Sequence, residues 1–272
     1  MENKKIENKK IIFFDIDGTI YDHRTGVEPS TKQAIAMLVE NGHIPVLCTG
    51  RARAMIMEEL IDLGFQGIVG ACGTYGEYHG KPVQNRILSR QEVRRVVDAS
   101  VKYGLEVILE GSKAMYYNED LKRSKYLDQV RHMTGKYVSL LPMIENIDSI
   151  EMNKLTVHFG KESELKEFRE DLKDILEAII HFEGDDDNYA ECVPVGYSKA
   201  TGIETLLQYL NIDQKESYAF GDSVNDLEMI QYVNYGIAMG NSSEEVFEVA
   251  KYRTSGIYED GIYNGLKEFA LI

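Results

Sequence analysis

The amino-acid sequence predicts an α/β fold in which a parallel sheet forms the core and an α+β unit is inserted. Short apolar runs alternate with helical patterns near both ends of the chain, which is the arrangement of βαβ units. The middle of the chain changes to adjacent strand pairs with few helices, which is typical of an α+β unit. We predict that residues 1–83 and 191–272 form the core and that residues 84–190 form the insertion.

The first strand of the predicted core is residues 11–14, Ile-Ile-Phe-Phe. Such a continuous apolar run suits a strand that is covered on both faces. Pro29 and Ser30 then open a helix in which Ser30 and Gln33 have capping-box spacing, and Asn41-Gly42 ends it. The next predicted elements are a strand at 44–48, a helix from about 52 to 63 and a strand at 67–70.

The pattern changes after about Gly73, where residues 75–83 are predicted to form a hairpin at the end of the first core segment. A capping box of Ser89 and Glu92 follows and starts a helix that ends at Gly104. Further predicted strands lie at 105–109, 114–117, 155–159, 178–182 and 189–193, and further helices at 121–132 and 163–176. The first pattern then returns, with helices at 199–210, after 222, from 242 and after 260, and strands at 217–220 and 235–239.

The composition excludes several classes of partner. The net charge is -15, and an acidic surface repels the phosphate backbone of nucleic acid. Apolar runs stay far below the ~20 residues of a membrane helix, and the charged N-terminus has no apolar signal core. The three cysteines are too few and too scattered for a disulfide framework, so we expect reduced thiols and a cytoplasmic location.

Two carboxylates, Asp15 and Asp17, directly follow the first strand, and Gly18 lets the chain turn away. The carboxyl end of a buried strand is where open α/β sheets bind ligands. Two close like charges need a reason to stay ionised, and Mg²⁺ supplies one because it prefers oxygen ligands. The alternative is structural, with Asp17-Gly18 acting as an ordinary turn.

Polar groups also lie at the ends of other predicted strands or beside them. Each group has a structural alternative: Thr49-Gly50 as a helix cap, Lys199 as a solvated lysine, and Asp222 to Asp226 as an acidic helix start. Together they form a coherent site. Asp15 and Asp222 offer carboxylates to a cation, while Thr49, Gly50 and Lys199 offer donors to an anion. This set equips a site for phosphoryl transfer, in which an aspartate can act as the nucleophile.

In these motifs the chain resembles the haloacid dehalogenase (HAD) superfamily of phosphatases, and more narrowly its Cof-type branch (subfamily IIB, with a C2-type α/β cap). Residues 260–266 also resemble the usual C-terminal segment of that branch. The resemblance covers nearly the whole chain and implies a Rossmann-like core with an inserted cap that sets specificity. Its four motifs are Asp15-Ile16-Asp17-Gly18-Thr19, Thr49-Gly50-Arg51, Ser198-Lys199-Ala200 and Gly221-Asp222-Ser223-Val224-Asn225-Asp226.

The resemblance implies a Mg²⁺-dependent phosphatase that acts on a small phosphomonoester, a sugar phosphate or similar metabolite. Asp15 would become phosphorylated, and Asp17 would protonate the leaving oxygen and then activate water. The implied Mg²⁺ ligands are Asp15, the backbone carbonyl of Asp17, and Asp222, with Asp226 in or next to the ligand shell. The implied phosphate-binding residues are Thr49, Gly50, Lys199 and Asn225.

The chain departs from the branch at residues 71–74, where Cys72 stands in place of the usual Asn. We expect this change to affect a hydrogen bond near the site or the cap hinge, and not the chemistry. For substrate contacts near the cap the sequence offers only weak candidates: Glu191, Lys113, Arg123 and Tyr116. The acidic run 185–187 is interpreted as a solvated turn, and none of the six histidines is assigned to catalysis.

Two other functions fit parts of this pattern. A phosphomutase of the same fold would transfer the phosphoryl group within a sugar, but such relatives generally carry a helical cap nearer the N-terminus. A non-catalytic protein that binds phospho-ligands would not need the nucleophile. The sequence identifies neither the particular phosphorylated substrate nor the oligomeric state.

Overall fold

The computed structural model describes residues 9–118, 120, 127, 139–159, 162–181 and 188–272. Within them the strands, in chain order, are β1 (Ile11–Phe14), β2 (Ile44–Cys48), β3 (Gly67–Gly70), β4 (Tyr75–Tyr78), β5 (Lys81–Asn85), β6 (Glu106–Glu110), β7 (Ala114–Tyr117), β8 (Ser139–Pro142), β9 (Lys154–Phe159), β10 (Leu176–His181), β11 (Asn188–Pro194), β12 (Ser217–Gly221), β13 (Tyr235–Ala238) and β14 (Tyr252–Arg253). The helices are α1 (Pro29–Glu40), α2 (Glu58–Ile61), α3 (Arg90–Tyr103), α4 (Glu162–Leu172), α5 (Lys199–Leu210), α6 (Leu227–Tyr232), α7 (Glu244–Val249) and α8 (Gly261–Glu268).

These strands form two sheets. The larger one has eight strands in the order β14-β13-β12-β1-β2-β3-β4-β5, and the smaller one has six in the order β10-β11-β9-β6-β7-β8. In the larger sheet β1 lies between β12 and β2 and pairs with both in parallel, whereas β4 and β5 add an antiparallel hairpin at one edge. The predicted α/β fold with a parallel core and an additional α+β unit is thereby confirmed.

Strand β1 is covered on both faces, as its apolar run predicts. All four of its side chains are fully buried. Ile12 and Phe14 belong to one apolar cluster, which includes residues of α1 and α8, and Ile11 and Phe13 belong to another, which includes residues of α5. The ring of Phe14 stacks on Phe220 of the neighbouring strand at a centroid distance of 5.3 Å. This packing fixes where β1 ends, and therefore where Asp15 begins.

The smaller sheet has an apolar face and a polar face. On β9 the side chains of Leu155, Val157 and Phe159 join one core with residues of α3 and α4. The alternate side chains of the same strand, Lys154 and Thr156, are buried as well although they are polar. Because successive residues of a strand point to opposite faces, these polar side chains share the face away from the two helices.

The predicted helix at 52–63 is wrong, and this is the largest difference between prediction and structure. The chain forms only a short 3₁₀ turn at Arg53–Met55 and then the single-turn helix α2. Ile56 and Met57 are extended, with ψ angles of 118° and 133°, and separate the two pieces. Met55 packs with Ile108 and Met115 of the smaller sheet, so that a tertiary contact prevails over helical propensity.

Several smaller differences concern element ends. The predicted capping box at Ser30 is wrong, since Glu28 occupies the N-cap position and the Ser30 hydroxyl has no hydrogen-bond partner. The predicted helix at 163–176 ends at Leu172, and Leu176 already starts β10. Strands β8 and β14 were not predicted. The predicted helix at 121–132, apart from Leu127, and the acidic run 185–187 lie outside the described residues.

The predicted division of the chain at 83/84 and 190/191 stays a prediction, and these positions fall within β5 and β11.

Among the described helices, none has both the length and the apolar character needed to cross a membrane.

Gly73 provides a test of the close packing between the loop after β3 and the start of α5. An added methyl group at Gly73 would lie 1.9 Å from the carbonyl oxygen of Ser198, whereas one at Gly80 would meet nothing within 4 Å. Both glycines have positive φ, so they share the backbone strain and differ in the collision. We expect Gly80→Ala to lower the free energy of unfolding by ~1 kcal/mol. Gly73→Ala should lower it by a further ~1–3 kcal/mol in urea denaturation, and equal losses would contradict this packing.

Candidate active site

The predicted motifs meet at the carboxyl edge of the larger sheet. Asp15 extends β1, and its backbone N–H donates to the carbonyl of Phe220 at 3.0 Å. Thr49 extends β2, and its N–H donates to the carbonyl of Val69 at 2.8 Å. Asp222 directly follows β12. The neighbouring strands therefore bring together residues that are far apart in the sequence, as the sequence analysis predicted.

Lys199 lies at the centre of these residues. It is the first residue of α5, whose N-terminus is capped by Ser198, and it is 1% exposed. Its Nζ donates to Asp15 Oδ1 at 2.7 Å, to Asp226 Oδ1 at 2.6 Å and to Asn225 Oδ1 at 3.0 Å. Burial alone would lower the pKa of Lys199, but Asp15 and Asp226 raise it well above its usual value. The lysine is therefore a fixed positive charge.

Two of the carboxylates that contact this lysine, Asp15 and Asp226, form a cluster with Asp222. Asp15, Asp222 and Asp226 each have an oxygen within 4.8 Å of an oxygen of the others. Burial raises the pKa of Asp15 well above its usual value, although Lys199 opposes this effect. Burial and the charge of Asp226 raise the pKa of Asp222 to about 7. The cluster therefore has more negative charge than one lysine can balance, and its donor atoms are the oxygens that a hard divalent cation prefers.

The side chain of Asp17 lies outside this three-carboxylate cluster. Arg51 donates to it through two nitrogens, at 2.8 and 2.6 Å, and His23 Nε2 lies 3.3 Å from its Oδ1. Burial would raise the pKa of Asp17, but the hydrogen bonds from His23 and Arg51 hold it well below its usual value. Asp17 is thus ionised in this arrangement. The resemblance assigns only its backbone carbonyl, and not this side chain, to a cation.

Thr49, Gly50 and Asn225 line a cavity of about 460 Å³ together with Asp15 and Asp17. The Thr49 hydroxyl accepts from the Arg51 N–H at 3.1 Å, which orients it. An added methyl group at Gly50 would lie 2.6 Å from Glu191 Oε1, so a larger residue does not fit here. All of the predicted phosphate-binding residues therefore lie close to the carboxylate cluster.

The opposite wall of the cavity comes from the polar face of the smaller sheet. Glu191 is the one weak candidate of the sequence analysis that this wall contains. Lys113 pairs with Glu151 at the surface, Tyr116 lies in the apolar core, and Arg123 is outside the described residues. The other members of this wall were not predicted from the sequence; they are Glu110, Lys154, Thr156, His158, His181 and Tyr189. The alternation of polar and apolar residues over 154–159 was the available signal.

A buried ion pair joins this wall to the larger sheet. Lys154 Nζ donates to Glu191 Oε1 and also to the carbonyl of Gly50, the latter at 3.0 Å. Glu191 Oε2 accepts from Asn225 Nδ2 at 3.0 Å and lies 3.3 Å from His181 Nε2. Burial would raise the pKa of Glu191, but Lys154 and His181 hold it well below its usual value. Glu191 is therefore a charged, fixed acceptor beside Gly50 and Asn225.

Cys72, which replaces the expected Asn, also contacts this pair. Its thiol donates to Glu191 Oε1 at 3.7 Å, and burial raises the thiol's pKa. Its φ of 50° lies in the left-handed region, which Asn adopts more readily than most residues. The replacement therefore retains a hydrogen bond near the site.

The histidines without an assigned role are divided between two environments. His23, His158 and His181 line the cavity, and His23 also contacts Asp17. The rings of His181 and Tyr189 stack at a centroid distance of 4.5 Å. His43 and His79 lie away from the cavity, and His132 is outside the described residues.

Lys199→Met would leave Asp15 and Asp226 without their buried counter-charge. Removing one partner of a buried ion pair costs ~3–5 kcal/mol, so we expect a loss of that size in the free energy of unfolding. Lys113→Met is the matched control, because Lys113 pairs at the surface and its loss should cost less than ~1 kcal/mol. Urea denaturation in metal-free buffer measures both. A Lys199→Met variant as stable as the control would contradict the central role of this lysine.

Comparison with known proteins agrees with this geometry. The family model described as haloacid dehalogenase-like hydrolase matches residues 12–266. YkrA of Bacillus subtilis, which carries a provisional phosphatase name, is 28% identical, and the match covers 97% of this chain and 99% of YkrA. The 5-amino-6-(5-phospho-D-ribitylamino)uracil phosphatase YitU of the same organism is 26% identical, with 95% and 97% of the two chains covered.

Solved structures of phosphatases from the haloacid dehalogenase superfamily are also similar to this chain. The HAD subclass IIB sugar phosphatase BT4131 is 26% identical and superposes with a TM-score of 0.80 over 97% of this chain and 100% of that chain. BT1666 from Bacteroides thetaiotaomicron, a phosphatase of the same superfamily, is 25% identical with a TM-score of 0.82, and the match covers 100% and 98%. The chain therefore belongs to the haloacid dehalogenase-like hydrolase family, as a phosphatase of its Cof-type branch.

Proposed function

We propose that this phosphatase hydrolyses a small-molecule phosphomonoester with the help of Mg²⁺ and through an aspartyl-phosphate at Asp15. The observation that carries the proposal is the buried Asp15 carboxylate, which Lys199 fixes between a three-carboxylate cluster and the cavity. A protein that only binds phosphate has no use for a buried carboxylate here, because it would repel the ligand.

Asp15 is the proposed nucleophile. Lys199 holds one of its oxygens at 2.7 Å, which orients the carboxylate, and the end of β1 fixes its backbone. Burial makes an ionised carboxylate costly at this position, so the attacking form depends on nearby positive charge. Asp15 would form a bond to phosphorus as the ester oxygen leaves, and water would later hydrolyse the resulting acyl phosphate.

The carboxylate cluster fits the proposed cation. Asp15, Asp222 and Asp226 offer three oxygens within 4.8 Å of one another, and the backbone carbonyl of Asp17 would add a fourth. Oxygen donors in this number and charge are typical of Mg²⁺ sites, in which water supplies the remaining ligands. The ion, when bound, would stabilise the ionised carboxylates and the negative charge of the transferred phosphoryl group.

The phosphoryl group would lie against donors from three loops. Thr49 offers its hydroxyl and Gly50 its backbone amide, and the absence of a side chain at Gly50 permits close approach. Lys199 and Asn225 would add a positive charge and an amide N–H. Transfer of a phosphoryl group depends mostly on such positioning and charge neutralisation.

Asp17 is the proposed general acid and base. Its pairing with Arg51 and His23 keeps it ionised, which is the form that can accept a proton from water. An incoming phosphate dianion beside Asp17 would raise its pKa, because like charges disfavour the ionised form. The protonated form could then donate to the leaving oxygen, so that one residue serves both half-reactions.

The proposed substrate is a small phosphorylated metabolite. The named relatives act on sugar phosphates and on 5-amino-6-(5-phospho-D-ribitylamino)uracil, which are both small phosphomonoesters. The cavity of about 460 Å³ suits a molecule of this size. The net charge of -15 disfavours nucleic acid, and the proposed location is the cytoplasm.

Phosphate release from a panel of phosphomonoesters tests the proposed function. We expect Mg²⁺-dependent release by the wild type and none above background by Asp15→Asn, because Asn is not a nucleophile of comparable strength. Asp17→Asn should slow turnover by ~10²–10⁴-fold, the usual contribution of a general acid or base. Glu151→Gln, at an exposed position, is the control. Release that persists in Asp15→Asn would exclude the proposed nucleophile.

Thermal unfolding with and without Mg²⁺ tests the proposed cation site. The folded-state pKa of Asp222 is raised to about 7, so its ionised form destabilises the metal-free fold above that pH, and this cost disappears as the pH falls toward the unfolded-state value. Metal-free Asp222→Asn should therefore be more stable than the metal-free wild type near pH 8, by on the order of 2 kcal/mol. Added Mg²⁺ should reverse this order. An unchanged order would contradict a cation site at Asp222.

A further inference from the structure

Glu191 lies beside the residues to which the proposed function assigns the phosphoryl group. Its carboxylate accepts from Asn225 Nδ2 at 3.0 Å, and its Oε1 lies 2.6 Å from the position that an added methyl group at Gly50 would take. It belongs to the smaller sheet and faces the cavity. A leaving group attached to a phosphoryl group at Gly50 and Asn225 would therefore pass close to Glu191.

Glu191 is fixed and charged. Lys154 holds its Oε1 and also donates to the carbonyl of Gly50 at 3.0 Å, so the carboxylate is held against that loop. The residue is 7% exposed, and water has little access to it. An ionised carboxylate only accepts hydrogen bonds, so whatever contacts it must donate.

The Glu191 carboxylate can accept a further hydrogen bond. The amide nitrogen of Asn225 carries two hydrogens, so it can donate to Glu191 and to a phosphoryl oxygen at once. An ionised carboxylate has ~four acceptor sites, and the hydrogen bonds from Lys154, Cys72 and Asn225 leave room for another donor. Because Glu191 lines the cavity, a donor on the leaving group can reach it.

We propose that Glu191 accepts a hydrogen bond from a hydroxyl on the carbon next to the ester-bearing carbon of the substrate. The enzyme then selects phosphomonoesters with such a vicinal hydroxyl, such as open-chain polyol phosphates. This inference rests on the proposed function. The position of the hydroxyl follows from distance. Glu191 hydrogen-bonds to Asn225, which is proposed to bind the phosphoryl group, so only the first atoms of the leaving group come close to Glu191. Ring-closed sugar phosphates in which that carbon carries the ring oxygen lack the donor.

Two isomeric monophosphates of propanediol provide the test. One has its free hydroxyl on the carbon next to the ester-bearing carbon, and the other has it at the far end of the chain. The isomers have the same size, charge and composition, so a difference in kcat/KM reports the hydroxyl position. A hydrogen bond to a charged group contributes ~1.5–3 kcal/mol, so we expect the wild type to favour the vicinal isomer by ~10- to 100-fold.

Variants connect this preference to Glu191. Glu191→Gln removes the charge at nearly constant size and should reduce the ratio of the two kcat/KM values to about 3 or less. Glu191→Asp keeps the charge but withdraws it by one methylene group, so it should also reduce the ratio if Glu191→Gln fails to fold. Glu151→Gln is the matched control, because Glu151 pairs with an exposed lysine, Lys113, outside the cavity. It should retain the wild-type ratio.

Two results would overturn the inference. One is a wild-type ratio near one, or equally slow hydrolysis of both isomers by an enzyme that hydrolyses other phosphomonoesters. The other is a wild-type preference that Glu191→Gln and Glu191→Asp leave unchanged. Failure of the proposed function would look different, since the wild type would then release no phosphate from any ester in the presence of Mg²⁺.

Discussion

The charge imbalance around Lys199 is the constraint on which the rest of the site depends. Asp15 follows β1, whereas Asp222 and Asp226 both follow β12, and the three carboxylates are held close to one buried lysine. The parallel register of β1 on β12 brings Asp15 to the other two, and a hydrogen bond from the Asp222 N–H to Asp226 holds those two together. Their repulsion makes the metal-free site unfavourable, and the proposed hard cation would relieve it. We therefore regard stability, cation binding and nucleophile activation as consequences of a single arrangement.

The smaller sheet is coupled to this arrangement through its polar face. The Lys154–Glu191 pair reaches Gly50 and Asn225, which come from two different loops of the larger sheet. A buried ion pair stabilises a structure only when its remaining hydrogen bonds are satisfied, and here the two loops satisfy them. The cavity wall of the smaller sheet and the loops at Gly50 and Asn225 therefore share hydrogen bonds. In the proposed complex, substrate contacts with one of them would affect the other.

The sequence allowed the larger sheet and its motif residues to be predicted, because fully buried parallel strands have an apolar run that polar residues end. It did not allow the helix at 52–63 to be predicted correctly, since Met55 packs against strands some fifty residues away in the chain. Lys154 and Glu110 were missed for the same reason: they become neighbours through the pairing of β6 with β9. Residues whose role depends on register between distant strands are not visible from local pattern.

Trapping of the covalent intermediate tests the central claim most directly. The Asp17→Asn variant should accumulate it from an aryl phosphate, whose leaving group departs without a proton, because the residue proposed to activate water is lost while Asp15 remains. Acid quenching during turnover with Mg²⁺, digestion and mass spectrometry would then locate the added group. The account predicts one phosphoryl group on Asp15, and none when Asp15→Asn is combined with the same variant. A phosphoryl group on another residue, or turnover in which no residue is ever labelled, would contradict it.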